Sequence, residues 1–364
     1  MGIVFEKPNR ASAYQAGSCG LRFGGLSLRL EKHYWEQMMT VTLAPMEGVV
    51  DPPMRELLTR VGGYDLCITE FIRVSSSQLP PKSFIAACPE LNNSSRTKSG
   101  TPIHIQLMGG DPDIVAANAF QAASLGAPGI DLNFGCPAKT VNRRDAGATL
   151  LQWPERLHRI TRAVRNAVPD DIPVSAKMRL GFEDKSLALE NAQAIEAAGA
   201  IKLTVHARTK LEGYRPPAHW EWLALIREVM NIQMIANGEI WSLGDYRRCL
   251  DISGCQDVMI GRGAIARPDL ARLIQADNRG DYLAPLNWQE VLVLITDYHD
   301  IMMAKAGDKP RLKGIAGRLK QWIKLLGRSY PEARDLFAVI RPSHDPGEIR
   351  NKVQAQQEFL QHAA

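Results

Sequence analysis

Residues 102–134, PIHIQLMGGDPDIVAANAFQAASLGAPGIDLNF, read as strand, helix, strand. PIHIQL (102–107) is an apolar run of strand length. Asp111-Pro112 is a helix start, an acceptor side chain followed by a residue whose missing N–H is not needed there. The helical pattern stops at Gly126, and GIDLNF (129–134) is the next strand. Runs this dense in Val, Ile and Leu suit parallel strands buried on both faces.

The same unit repeats outward. VTLAP (41–45) and DLCIT (65–69) precede it; PVSAKM (173–178), IKLTVH (201–206), IQMIAN (232–237) and QDVMIG (256–261) follow. Between most of these runs lie helical patterns. Asp51-Pro52-Pro53 opens one, Pro154 another, and 186–198 is stopped by Gly199. The interval 70–101, with Pro80-Pro81 and a Ser/Asn/Thr cluster at 92–101, reads as an irregular excursion. Eight consecutive parallel-type units are many for one doubly wound open sheet, so the expected fold is a (β/α)8 TIM barrel. Beyond Asp281-Tyr282-Leu283-Ala284-Pro285, a linker, the pattern is helical over 287–306, 311–328, 331–340 and 345–361. The expected domains are therefore a barrel at 39–284 and an all-helical domain at 285–364. Residues 1–38 show no clear period and precede Met38-Met39; they read as a disordered extension or as the product of a mis-chosen start.

The 364 residues carry 44 Lys and Arg against 39 Asp and Glu. The excess is not spread evenly. Residues 39–284 hold 27 of each sign, whereas 305–328 hold eight bases and one acid, Asp308. A neutral body with one concentrated basic segment suits an anionic partner, or simply a solvated helix face. In 311–328 the apolar positions Leu312, Ile315, Leu319, Trp322, Ile323 and Leu326 recur at helical spacing, with Lys313, Lys320, Lys324 and Arg328 on another face. The six cysteines include no C-x-x-C pair, which argues against structural zinc and against a disulfide framework. No stretch approaches the roughly 20 apolar residues of a membrane span. The expectation is a cytoplasmic monomer that holds no metal and touches no membrane.

A barrel places its chemistry at the C-terminal ends of its strands. Those ends carry Pro45-Met46-Glu47-Gly48, Glu70 with Arg73, Gln106, Asn133 through Pro137, Lys177 with Arg179, His206 with Arg208, Asn237-Gly238-Glu239 and Gly261-Arg262-Gly263. The last two loops supply glycines and a guanidinium where barrels often hold a phosphate. Gly261-x-Gly263-x-x-Ala266 also matches a dinucleotide fingerprint, but in the eighth unit rather than the first. Gln106 and Lys177 suit the edge of a planar cofactor, the lysine facing negative charge on a reduced flavin; the alternative for Lys177 is pairing with Glu47 or Glu239. Cys136, just past a strand, is placed to give a proton to carbon, or is a small buried hydrophobe.

The set Ala44-Pro45-Met46-Glu47-Gly48, Asn133-Phe134-Gly135-Cys136-Pro137, Lys177-Met178-Arg179, His206-Ala207-Arg208-Thr209 and Ala236-Asn237-Gly238-Glu239-Ile240, with Gly261-Arg262-Gly263, resembles the tRNA-dihydrouridine synthases over about residues 39–364. Leu66 through Phe71 with Arg73, and Gly317-Arg318-Leu319-Lys320-Gln321-Trp322, resemble the bacterial C subfamily, which acts on position 16 of the tRNA D-loop. The resemblance implies an FMN barrel reduced by NADPH, with hydride passing from flavin N5 to uracil C6 and a proton from Cys136 to C5. It implies that Pro45, Met46, Glu47, Gln106, Lys177, Asn237, Gly238, Glu239, Gly261 and Arg262 hold FMN, with His206 beside it. Asn133 and Arg179 would meet the flipped uracil; Arg73, Arg318, Lys320 and Arg341 would orient tRNA. Two features depart from the pattern: the 1–38 extension, and Arg143-Arg144-Asp145 where small residues are expected. Read without the resemblance, the residues also admit a flavin barrel acting on a small pyrimidine or enone, or a non-catalytic tRNA-binding module.

Overall fold

The computed structural model describes residues 39–143, 145–306 and 311–363. The expectation for 1–38 lies outside the described residues. Each of the eight apolar runs overlaps a strand: β1 (Val41–Leu43), β2 (Leu66–Ile68), β4 (Ile103–Met108), β5 (Ile130–Phe134), β6 (Val174–Arg179), β7 (Lys202–His206), β8 (Gln233–Asn237) and β9 (Asp257–Ile260). All pair in parallel, and β1 closes the barrel by pairing with β9 through Leu43 and Ile260. All six residues of β4 are buried, as a strand covered on both faces requires.

The 70–101 interval is more ordered than an irregular loop. It begins with a two-residue strand, β3 (Ile72–Arg73), which continues β2 along β4. Cys67 aligns with Ile103 but Ile72 with Leu107, so five steps on one strand match four on the other. The extra residue bulges Thr69–Phe71 and re-aims Glu70 at the rim. Pro80-Pro81, which reads as a breaker, instead starts helix α2 (Pro81–Ala87), where proline is tolerated. The fully buried Arg55 on α1 (Pro52–Val61) pins this excursion through Glu90 at 2.9 Å and the Ala87 carbonyl, and also donates to the Val50 carbonyl.

Helix starts follow their signals. Asp51 accepts from Met54 N ahead of α1, and Asp111 accepts from Asp113 N and Ile114 N ahead of α3 (Pro112–Ser124). The other helices around the barrel are α4 (Lys139–Asn142), α5 (Pro154–Ala167), α6 (Ala188–Ala197), α7 (Trp220–Glu228), α8 (Leu243–Ser253), α9 (Arg262–Ala266) and α10 (Leu270–Asn278). After an irregular stretch over 281–287 come α11 (Trp288–Ala306), α12 (Leu312–Leu326), α13 (Glu332–Ile340) and α14 (Pro346–Ala363).

Residues 40–364 form one compact unit. The helical segment is joined to the barrel by a buried seam. Trp322 of α12 donates its indole N–H to the Ile265 carbonyl at 3.0 Å and meets Tyr298 edge-on. Arg318 pairs with Asp51, and Arg60 with Asp297.

Candidate active site

A cavity of about 470 Å³ opens among the C-terminal strand ends, within the range of small-molecule sites. Most of the sequence-predicted residues meet there. Pro45, Met46 and Glu47 follow β1; Asn133 and Cys136 come from β5 and its loop; Lys177 and Arg179 come from β6. His206 ends β7, Asn237, Gly238 and Glu239 leave β8, and Gly261 and Arg262 leave β9.

The lysine is free for a ligand. Lys177 Nζ donates to Asn237 Oδ1 at 3.0 Å and forms no ion pair with Glu47 or Glu239, so that alternative does not hold. Asn237 Nδ2 donates to the Met259 carbonyl, which turns the amide oxygen toward the lysine. Burial, helped by the charge of Arg179 and opposed by Asp131, brings the Lys177 pKa down to about 7. Glu239 sits in the left-handed region at φ 56°, a conformation that persists only where surroundings enforce it. Its carboxylate is clamped between Arg208 and Arg262 at 2.9 and 3.0 Å. His206 is deeply buried among Arg179, Lys177, Arg208 and Arg262. Desolvation first, then those cations, pushes its pKa well below the ordinary imidazole value. Gly238, at φ 120°, leaves room that a Cβ would take 3.0 Å from the His206 ring.

Cys136 is 8% exposed and packs with Met108, Val141 and Ala146. Burial raises its thiol pKa, although a backbone N–H at Ala138 and the charges of Arg73 and Arg179 pull the other way. The thiol therefore keeps its proton at neutral pH, which suits an acid rather than a thiolate nucleophile. The loop behind it is braced by Asn142, whose amide bonds the Cys136 and Ala138 carbonyls and Thr149 N. Gly147, at φ 66°, lets this loop close against Cys136, where a Cβ would stand 3.0 Å from the cysteine Cβ.

Some predicted residues lie elsewhere. Gln106 is fully buried beneath the cavity, with Nε2 on Asp131 at 2.6 Å and Oε1 receiving Asn133 Nδ2 at 2.8 Å. It fixes the orientation of Asn133. Arg179 lines the cavity, yet its Nε and Nη1 are spent on the carbonyls of Gly135, Thr209 and Gly213. Arg318 and Lys320 also face inward: Lys320 donates to the Arg341 and Ser343 carbonyls past the end of α13. Arg341 is exposed, and Arg73 lines a separate pocket.

The sequence reading missed several contributors. Asp131, fully buried and bonded by Gln106 and Ser175, places a carboxyl under Lys177. Its signal was the i, i+2 spacing to Asn133, which puts both on the inner face of one strand. Tyr214 and Trp241 build the rim. Arg262 lies over both rings at 4.8 and 4.9 Å, Arg179 covers Tyr214 at 5.1 Å, and Arg328 from the helical segment covers Trp241 at 3.5 Å.

The donor set suits a planar cofactor with an anionic tail. A lysine and an asparagine sit at one edge, a glycine-lined turn with Arg262 at another, and a proton-bearing thiol on the wall. Among the described residues no group of three His, Cys, Asp or Glu side chains is arranged to hold a metal, and no helix is long and apolar enough to cross a membrane.

The dihydrouridine synthase (Dus) family model matches residues 42–360. A tRNA-dihydrouridine(16) synthase of Aquipseudomonas alcaligenes is 53% identical over 307 residues, 84% of this chain and 96% of that protein. One from Pseudomonas putida is 50% identical over 323 residues, 89% and 99% of the two chains. Among solved structures, 2-naphthoyl-CoA reductase in complex with 2-naphthoyl-CoA is 12% identical with a TM-score of 0.50, covering 66% of this chain and 50% of that one, a likeness of fold alone. With a family match across the barrel and the helical segment alike, this chain belongs to the dihydrouridine synthase family.

Proposed function

We propose that this protein reduces uridine to 5,6-dihydrouridine in tRNA, at position 16 of the D-loop, with FMN in the cavity and NADPH as the reductant. The observation that carries the reading is a buried thiol kept protonated on the wall of a cavity that also holds a lysine with no salt-bridge partner. Bound FMN would supply hydride to C6 of the uracil. Cys136 holds the proton that C5 then needs. Lys177, with Asn237 orienting it, offers positive charge to the electron-rich edge of the flavin ring, and Arg262 with the turns at Gly238 and Gly261 suits its phosphate. Gln106 holds Asn133 toward the base. A uridine must leave its stack to reach this depth, so RNA contacts outside the cavity must offset the unstacking. The exposed cations Arg311, Lys313, Lys324, Arg328 and Arg341 of the helical segment supply such contacts.

Nucleotide-resolution mapping of dihydrouridine in tRNA from a strain lacking this gene, beside its parent, tests the assignment. Loss at position 16 alone is expected. Loss at another D-loop position overturns the position. No loss in cells, and none made by purified protein on unmodified tRNA, overturns the reaction.

Lys177→Met tests the lysine. Removing the lysine charge from the ring edge should weaken FMN binding about tenfold. The sign of the pH effect follows from the pKa of about 7. Above pH 7 the free lysine is neutral and must take up a proton to face an electron-rich ring, so wild-type affinity falls as pH rises through 7. The methionine variant should show no such slope. Equal affinity and equal slope in a flavin titration would remove Lys177 from this role.

A further inference from the structure

A second pocket, of about 340 Å³, lies behind the Cys136 loop, between β3, the start of α3 and helix α5. Arg73, Arg156 and Arg159 line it, together with Asp111 and Asp145. Both acids are already engaged. Asp111 accepts two backbone N–H groups at the start of α3. Asp145 is held by both terminal nitrogens of Arg156, at 2.6 and 2.5 Å. Among the described residues, Arg73 and Arg159 make no hydrogen bond or ion pair with protein. The pocket therefore presents two guanidiniums without a protein acceptor beside a neutralised pair. Fork-shaped donors left without a protein acceptor are suited to phosphate.

Its position says which phosphate. Val141 and Ala146 form part of the pocket wall and also pack against Cys136, so one loop separates the two cavities. Arg73 is close enough to lower the pKa of the Cys136 thiol. A nucleotide whose base enters the active site keeps its flanking phosphates outside, and holding them fixes its register without reading sequence. Arg156 and Arg159 belong to none of the motifs that define the active site.

We propose that this pocket is a subsite for an RNA backbone phosphate flanking the extruded uridine, with Arg159 and Arg73 as its donors and Arg156 bracing the loop that divides it from the active site. The proposal rests on tRNA being the substrate. Arg159 is exposed and makes no hydrogen bond or ion pair among the described residues, so Arg159→Gln should leave the fold intact. Arg162→Gln is the matched control: Arg162 lies one turn along α5 and donates instead to the Ala197 carbonyl.

The experiment measures binding of an unmodified tRNA transcript to the flavin-loaded full-length enzyme between 50 and 200 mM salt, alongside KM for NADPH. Arg159→Gln should raise the tRNA Kd roughly five- to tenfold and lower the log–log salt slope by about 1, while Arg162→Gln should match wild type. An Arg159→Gln protein with wild-type Kd and slope overturns the subsite. A raised KM for NADPH with unchanged tRNA binding also overturns it, and assigns the pocket to the dinucleotide. A wild-type enzyme that neither binds nor reduces tRNA fells the functional reading and the subsite together, whereas a competent wild type with an unaffected variant fells the subsite alone.

Discussion

Cys136→Ala should lower turnover of uridine in tRNA by about 10²- to 10⁴-fold, the usual worth of a positioned general acid. At 1.36 kcal/mol per decade, that is about 3–5 kcal/mol of barrier. The flavin contacts assigned to Lys177, Asn237 and Arg262 are untouched by the change, so the purified variant should stay yellow. The pH profile separates a proton donor from a packing residue. The reaction needs the thiol protonated, so activity is lost as pH rises through the thiol pKa. Burial has raised that pKa, so wild-type turnover should be level through neutrality and fall only on the alkaline side. The alanine variant should lose that alkaline limb along with its rate. Turnover within a fewfold of wild type, with the limb retained, would return Cys136 to the status of a small buried hydrophobe.

Much of this site was legible because strand ends and chemistry coincide in a barrel. Eight runs rich in branched residues marked the strands, and reading their last residues listed Glu47, Cys136, Lys177, His206 and Glu239, all of which line one cavity or its wall. The sequence names residues at strand ends but not the partners that closure gives them. Gln106 looked like a cofactor contact; its neighbours across β4 and β5 are Asp131 and Asn133, and they take both ends of its amide. Tyr214, Trp241 and Arg328 lie on three separate segments; Arg262 joins the two rings, and Arg328 stacks on Trp241. Strand β3 was invisible because two residues carry no periodicity, and α2 because a Pro-Pro start reads as a break. Charge counting located the basic segment at 305–328 but could not divide it: Lys313 and Lys324 face solvent, Arg328 lies on Trp241, and Arg318 and Lys320 are turned into the protein.

That division decides what charge reversal will do. Arg318→Glu should destabilise the protein by about 1–3 kcal/mol, the cost of breaking a partly buried ion pair, leaving a carbonyl acceptor unpaired and setting a like charge against Asp51. The Arg318 side chain is only 21% exposed. One terminal nitrogen serves Asp51 at 2.9 Å and the Val49 carbonyl at 2.8 Å, and the other serves Gln321 at 2.7 Å. A glutamate there would face Asp51 and Glu70 with no donor for Val49 O. Val49 belongs to the β1–α1 loop, which also brings Met46 and Glu47 to the cavity, so the strain should reach the flavin site. A residue that served only to touch RNA would behave differently: its reversal would weaken tRNA binding at an unchanged Tm. Arg318→Lys sharpens the distinction, because it keeps the charge that RNA would see but loses the fork that spans Asp51, Val49 and Gln321. Arg341→Gln, at an exposed side chain, should weaken tRNA binding without moving Tm. Thermal unfolding of the three variants beside tRNA binding therefore assigns each role. An Arg318→Glu protein that melts with wild type would show that the helical segment does not depend on this strut. The lysine variant should fall between, since an ammonium can satisfy Asp51 or the Val49 carbonyl but cannot hold all three acceptors in one plane.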